Sequence, residues 1–175
     1  MNIKTLYLSD LDGTLLQNDA SLSPYAVREL NRMIEKGAVL FYFPSARSTG
    51  TVLGILDGLR LQVPIALFNG VIYYDYLAAR FVRILEIAPQ AAQQVALFME
   101  RYGLHNTMYT YRDQQLFACY TSLDTERERQ FAAERSRFPQ KNWRQVDSLV
   151  QTAEKERVVF FPMPGPRTKW IACTQ

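Results

Sequence analysis

Hydrophobic and polar positions alternate in blocks along the first half of this chain. Residues 3–9 (IKTLYLS) form a short, largely apolar run that stops abruptly at Asp10-Leu11-Asp12-Gly13-Thr14, the pattern of a buried strand feeding a glycine-containing loop. Ser23-Pro24 then supplies an N-cap followed by a proline suited to the first helical position. Tyr25, Val27, Leu30, Met33 and Ile34 recur at helical spacing until Gly37. Residues 38–43 (AVLFYF) are almost wholly apolar, as expected of a parallel strand covered on both faces, and end at Pro44-Ser45. Val52, Leu53, Ile55, Leu56 and Leu59 predict a second helix, and residues 64–68 (PIALF) a third short strand closed by Asn69-Gly70. Strands joined by helices at these spacings imply right-handed crossovers and a doubly wound parallel sheet, an α/β Rossmann-like core.

The pattern changes beyond this point. Residues 71–76 and 81–87 predict two strands around a turn at Leu77-Ala78-Ala79, a hairpin that leaves the sheet. Ala92, Val95, Ala96, Phe98, Met99 and Tyr102 predict a helix stopped by Gly103. Residues 108–111 and 116–120 predict strands about a polar turn, 124–138 a highly charged helix, and 157–161 a last strand. This order suggests a small α+β unit, with a boundary near 77–85. The expected organisation is a core over 1–80 and an incomplete α+β domain over 81–175. The tail from Pro162 has neither helical nor strand period and looks like a chain that stops before returning to the core.

Composition narrows the function classes. With 175 residues, 48% of them hydrophobic and 21% charged, the chain can bury a real core, which excludes general disorder and large repeat arrays. A net charge of +3 is too small to argue for nucleic acid or an anionic membrane. The basic cluster Arg127, Arg129, Arg135, Arg137, Lys141 and Arg144 is interleaved with Glu126, Glu128 and Glu134, which reads as a solvated helix face. Cys119 and Cys173 form no framework, and His105 has no second imidazole, so reduced thiols and no histidine metal site are expected. No leader pattern and no apolar run of about 20 residues is present, so a cytoplasmic protein without membrane contact is expected.

The chemistry concentrates at Asp10-Leu11-Asp12-Gly13-Thr14-Leu15-Leu16. In an open parallel sheet ligands collect beyond the carboxyl ends of the strands, where both acids fall. Two carboxylates separated by one residue can hold Mg²⁺ through hard oxygens while one attacks an electrophile and the other trades protons with the leaving group. Gly13 permits a tight loop whose amides can face an anion.

This block resembles the first motif of the haloacid dehalogenase superfamily, and residues 1–75 resemble its Cof-type sugar phosphatase branch. The resemblance implies Asp10 as the nucleophile forming an aspartyl-phosphate and Asp12 as general acid/base. It also implies Asp10 and the Asp12 carbonyl as Mg²⁺ ligands. Pro44-Ser45-Ala46-Arg47 stands where that family carries an A-T-G-R string, so Ser45 inherits a hydrogen bond to the transferring phosphoryl group and Arg47 a place at the site's edge. Ser45 also suits the N-cap of a helix starting near Arg47. Residues 68–75 (FNGVIYYD) resemble the N-G-A-x-I-x-D string of the branch, which puts Asn69 beside the phosphate; a turn residue of positive φ is its other reading.

Residues 85–160 resemble the family's substrate-selecting cap only in the order of elements. The family's later lysine and its G-D-x-x-N-D string are absent from 1–175, and neither Lys155 nor Lys169 stands in the corresponding context. The resemblance therefore implies a Mg²⁺-dependent phosphatase of small phosphorylated metabolites such as sugar phosphates. The alternative is a non-catalytic phosphate-binding or interaction fragment. A sheet left with an unpaired strand edge also leads to an expectation of self-association.

Overall fold

The computed structural model describes residues 5–104, 107–136 and 142–162. The readings made on His105, Arg137, Lys141, Lys169, Cys173 and the tail from residue 163 lie outside them. The described chain divides into two compact units, residues 5–85 with 135–136 in one and residues 86–134 with 142–162 in the other. It is mixed α/β, with parallel and antiparallel strand pairs.

In the first unit β1 (Thr5–Leu8) and β2 (Val39–Tyr42) pair in parallel, Thr5 opposite Val39 and Leu8 opposite Tyr42. The crossover between them is α1 (Pro24–Glu35). Its start follows the predicted chemistry: the Ser23 hydroxyl accepts the Ala26 N–H at 3.1 Å, with Pro24 in the first turn. Leu30 and Ile34 bury its inner face, while Tyr25, counted in the predicted stripe, is exposed.

Beyond β2 the chain makes a single helical turn, α2 (Thr49–Val52), not the longer helix expected over 52–59. The apolar pattern there was a true burial signal, since Val52, Leu56 and Leu59 are all buried. The backbone carrying them is a run of tight turns with short-range bonds from Ile55 N–H to Val52 and from Leu59 N–H to Leu56. Gly54 and Gly58 weaken helix propagation, and Gly58 sits at φ +83°. Asn31 of α1 holds this segment from both sides, donating to the Gly58 carbonyl at 2.8 Å and accepting the Arg60 N–H at 2.9 Å.

A parallel bridge between Pro44 and Ala66 joins β2's continuation to β3 (Ile65–Leu67), all three residues of which are buried. β4 (Ile72–Asp75) and β5 (Arg80–Ile84) follow. This hairpin does not leave the sheet as expected: β4 pairs antiparallel with β3 on one side and with β5 on the other. At the opposite end of the unit β1 pairs, among the described residues, with β2 alone, and Leu6, Tyr7 and Leu8 are 52%, 50% and 67% exposed.

The second unit packs helices against one face of a four-stranded sheet of order β8-β7-β6-β9. It comprises α3 (Pro89–Arg101), β6 (Met108–Arg112), β7 (Gln115–Tyr120), α4 (Glu126–Ser136), β8 (Asn142–Gln145), α5 (Leu149–Lys155) and β9 (Arg157–Phe160). Ala92, Ala96 and Met99 of α3 form a core with Leu149 and Ala153 of α5 and with Met108, Cys119 and Val158 of the sheet. Alanines at the helix contact let α3 and α5 approach closely. The β6–β7 turn is only Asp113-Gln114, both at positive φ as a two-residue hairpin demands.

Sequence reading did not anticipate β8 or α5. The α5 start is built by Ser148, whose hydroxyl accepts the Gln151 N–H, and by Glu100 of α3, whose Oε1 accepts the Leu149 N–H at 2.8 Å. Arg144, counted with the basic helix, instead lies on β8. Its Nη2 reaches Glu156 at 2.6 Å and the buried Cys119 Sγ at 3.2 Å. Arg129 does lie on α4, paired with Glu126 at 3.2 Å on an exposed face.

Burial pushes the Glu156 carboxyl up, but hydrogen bonds from Arg144 and Thr110 and the charges of Arg144 and Arg112 hold it, on balance, below its ordinary value of 4.5. A carboxyl depressed on folding contributes stability that is present above the unfolded value and lost as pH falls through the folded one. Glu156→Gln is expected to cost about 1–3 kcal/mol at neutral pH. That cost should fade as pH falls below the ordinary carboxylate range. Thermal melts of both chains across that range would show it; a cost independent of pH would rule out the ion pair as its source.

Candidate active site

The site grows out of three strand ends on the first unit. β1 delivers Asp10, whose Oδ1 accepts the N–H of the next residue, Leu11, at 2.7 Å. The chain then makes a wide turn over Leu11–Leu15, closed by the Leu16 N–H on the Leu11 carbonyl at 2.9 Å. Two features permit it. Gly13 takes φ +74°, where a side chain is strained, and Leu11 is driven fully into the core, anchoring the loop from below. Asp10 and Asp12 remain exposed on either side of that anchor.

β2 delivers Ser45 through the Pro44 bridge. Its N–H donates to the Ala66 carbonyl at 2.9 Å and its carbonyl accepts the Asn69 N–H at 3.0 Å, so Ser45 is stitched to β3 and to the turn beyond it. Its buried hydroxyl accepts the Arg47 N–H at 3.1 Å. That is a local turn and no helix cap: α2 starts only at Thr49, with Ser48 in the N-cap position. Asn69 occupies the left-handed region, φ 56° and ψ 35°, as its reading as a turn residue requires. Phe68 precedes it, also at positive φ, with its N–H on the Arg47 carbonyl at 3.2 Å.

Arg47 ties these elements to the acidic loop. Its Nε donates to Asp12 Oδ2 at 2.9 Å and its Nη2 to Asp12 Oδ1 at 2.6 Å, a two-pronged pair that engages both carboxylate oxygens. The hydrogen bonds from Arg47, aided by its charge, hold the Asp12 carboxyl below its usual range, and Asp12 in turn raises Arg47. Asp12, Arg47, Ser45 and Asn69 thus form one hydrogen-bonded chain, with Asp10 at the head of the same loop as Asp12. The pairing of Asp12 with Arg47 was not read from the sequence, because the two residues are 35 positions apart. A signal for it existed: parallel neighbours bring the loops at their carboxyl ends side by side.

Hard oxygen donors for a cation are present, the Asp10 carboxylate and the Asp12 backbone carbonyl. Mg²⁺ takes such ligands singly or in pairs and keeps several waters, so this donor set fits it as a partial shell. The Asp12 carboxylate is occupied by Arg47, which leaves the carbonyl as that residue's donor. Among the described residues no group of three Asp, Glu, His or Cys side chains is gathered as a metal cluster. No helix among them is long and apolar enough to cross a membrane.

Comparison with known proteins gives this geometry a context. No curated protein matches the chain. A haloacid dehalogenase-like hydrolase from Bacteroides thetaiotaomicron is similar in structure with a TM-score of 0.68 at 17% identity, over 97% of this chain and 61% of that one. A haloacid dehalogenase-like hydrolase from B. subtilis gives 0.63 at 15% identity, over 89% and 59%. A sugar phosphatase of haloacid dehalogenase subclass IIB gives 0.59 at 14% identity, over 89% and 56%. The chain therefore spans about three fifths of the length of these structures. The family model of haloacid dehalogenase-like hydrolases matches residues 7–159, from β1 into β9, and with the acidic loop and its partners inside that match the chain belongs to this family.

Proposed function

We propose that this chain carries the nucleophile and proton-transfer part of a Mg²⁺-dependent phosphatase for small phosphorylated metabolites, sugar phosphates among them. The observation that carries the reading is the placement of Asp10 and Asp12 at the carboxyl end of β1, with Ser45 and Arg47 hydrogen-bonded beside them. In this reading residues 1–80 belong to a Cof-type core and residues 81–175 to a cap that selects the substrate in the cytoplasm.

The Asp10 carboxylate attacks phosphorus, forming an aspartyl-phosphate as the bond to the leaving oxygen breaks. Asp12 delivers a proton to that oxygen, then accepts one from the water that attacks phosphorus and restores Asp10. Ser45 accepts the Arg47 N–H through its oxygen, so its hydroxyl hydrogen is available to a phosphoryl oxygen. Asn69 borders the same rim through its bond to the Ser45 carbonyl. Held by Asp10 and the Asp12 carbonyl, Mg²⁺ would supply charge neutralisation. Phosphoryl transfer gains most from such positioning and charge balance.

A second reading, phosphate binding without turnover, draws support from the absence of a third gathered acid among the described residues. Beryllofluoride, which mimics a phosphoryl group on a carboxylate, separates the outcomes when titrated calorimetrically with and without Mg²⁺. The chain is expected to bind it only with Mg²⁺, and Asp10→Asn to lose it; binding that survives in Asp10→Asn would sink the nucleophile assignment. Release of phosphate from an aryl phosphate is expected near background, because each missing electrostatic partner costs about 10²–10³ in rate. Turnover close to the enzyme median of about 10 s⁻¹ would show that other residues complete the site. Ser45→Ala should weaken beryllofluoride binding less than Asp10→Asn, by the about 1–3 kcal/mol of one hydrogen bond. Equal losses at both positions would point to a folding defect.

A further inference from the structure

We propose that Arg47 is a partner-exchange switch: it holds Asp12 by both carboxylate oxygens while the site is empty and moves to an incoming phosphoryl dianion, releasing Asp12 for proton transfer. The inference rests on the phosphatase reading of Asp12. Its basis is the two-pronged contact, Nε to Oδ2 at 2.9 Å and Nη2 to Oδ1 at 2.6 Å. A carboxylate paired in this way is held as the anion; once freed it can take up a proton from solvent and pass it to the leaving oxygen. The guanidinium fork fits a phosphate as well as a carboxylate, so the two anions compete for the same donors.

The surroundings favour exchange over a permanent brace. The Arg47 backbone is fixed at both ends, its N–H on the Ser45 hydroxyl and its carbonyl on the Phe68 N–H, so its side chain swings from a rigid root beside the Ser45 oxygen. Its partner is not fixed in the same way. The Asp12 side chain is 57% exposed, on the loop eased by Gly13, against 26% for Arg47, so water and an incoming anion reach the pair from the carboxylate's side. A doubly charged phosphate therefore outbids a singly charged, half-solvated carboxylate. Arg47 is on this view a positioning residue for Asp12 as well as an anion ligand, and the two roles exclude each other at any instant.

A thermodynamic cycle tests this without turnover. Inorganic phosphate is titrated calorimetrically in metal-free buffer into the unmodified chain, Asp12→Asn, Arg47→Ala and the double variant, each checked for a cooperative melt. Asp12→Asn is expected to tighten phosphate about tenfold by freeing Arg47, with the gain vanishing in the Arg47→Ala background. Equal tightening in both backgrounds, as loss of a repelling charge alone produces, would overturn the switch, and so would no tightening in either. Should Arg47→Ala fail to fold, Arg47→Lys replaces it: a lysine keeps the charge but not the fork, and the gain should shrink. Because no hydrolysis is measured, beryllofluoride binding that survives in Asp10→Asn would defeat the phosphatase reading alone, whereas uncoupled phosphate binding would defeat the switch alone.

Discussion

The site depends on one constraint, the parallel alignment of β1 and β2 extended by the Pro44–Ala66 bridge to β3. Parallel strands end on the same side, so the loops that follow them collect at one rim. That alignment brings the turn after β1, the Ser45 turn after β2 and the Asn69 turn after β3 close enough for hydrogen bonds to cross between them. Had β2 run antiparallel to β1, Arg47 would lie at the far end of the sheet from Asp12. The buried anchors Leu11, Phe43 and Leu67 hold the strand ends in register, and the polar groups stand on that apolar footing.

Two arginine–carboxylate pairs of the molecule show how environment decides use. Arg144 and Glu156 sit against the sheet of the second unit, Glu156 with only 13% of its side chain exposed and further supported by Thr110. Such a pair, partly removed from water and bound to several partners, braces β8, which among the described residues has a single neighbour in its sheet. Arg47 and Asp12 have the better geometry, two bonds in place of one, yet here the carboxylate is 57% exposed on a loop. Water screening makes the second pair easy to exchange, which suits a place where an anion must enter.

The first unit is also marked by what β1 lacks. Among the described residues this strand pairs on one edge, with β2, and presents apolar side chains to solvent, although it is the strand that delivers the two acids.

Local signals in the sequence determined a good deal. The apolar run of β1 ending in Asp10-Leu11-Asp12-Gly13-Thr14, the Ser23-Pro24 start of α1 and the Gly103 stop after α3 each rest on interactions within a few residues, and each element stands in the structure, although β1, read as buried, is exposed. Asp10 and Asp12 stood out as paired acids at a strand end, whereas Ser45, Arg47 and Asn69 were named as site candidates only through the resemblance to the family's strings. Tertiary structure decided the rest. The stripe at 52–59 was buried as read, but glycines and the Asn31 side chain turned it into a chain of turns. β8 and α5 escaped notice because one is held by a neighbouring strand and the other by Glu100, 49 residues before its first residue. The joining of Asp12 to Arg47 belongs to the same class: an ion pair between loops exists only once the sheet has brought the loops together, and no periodicity along the chain records it.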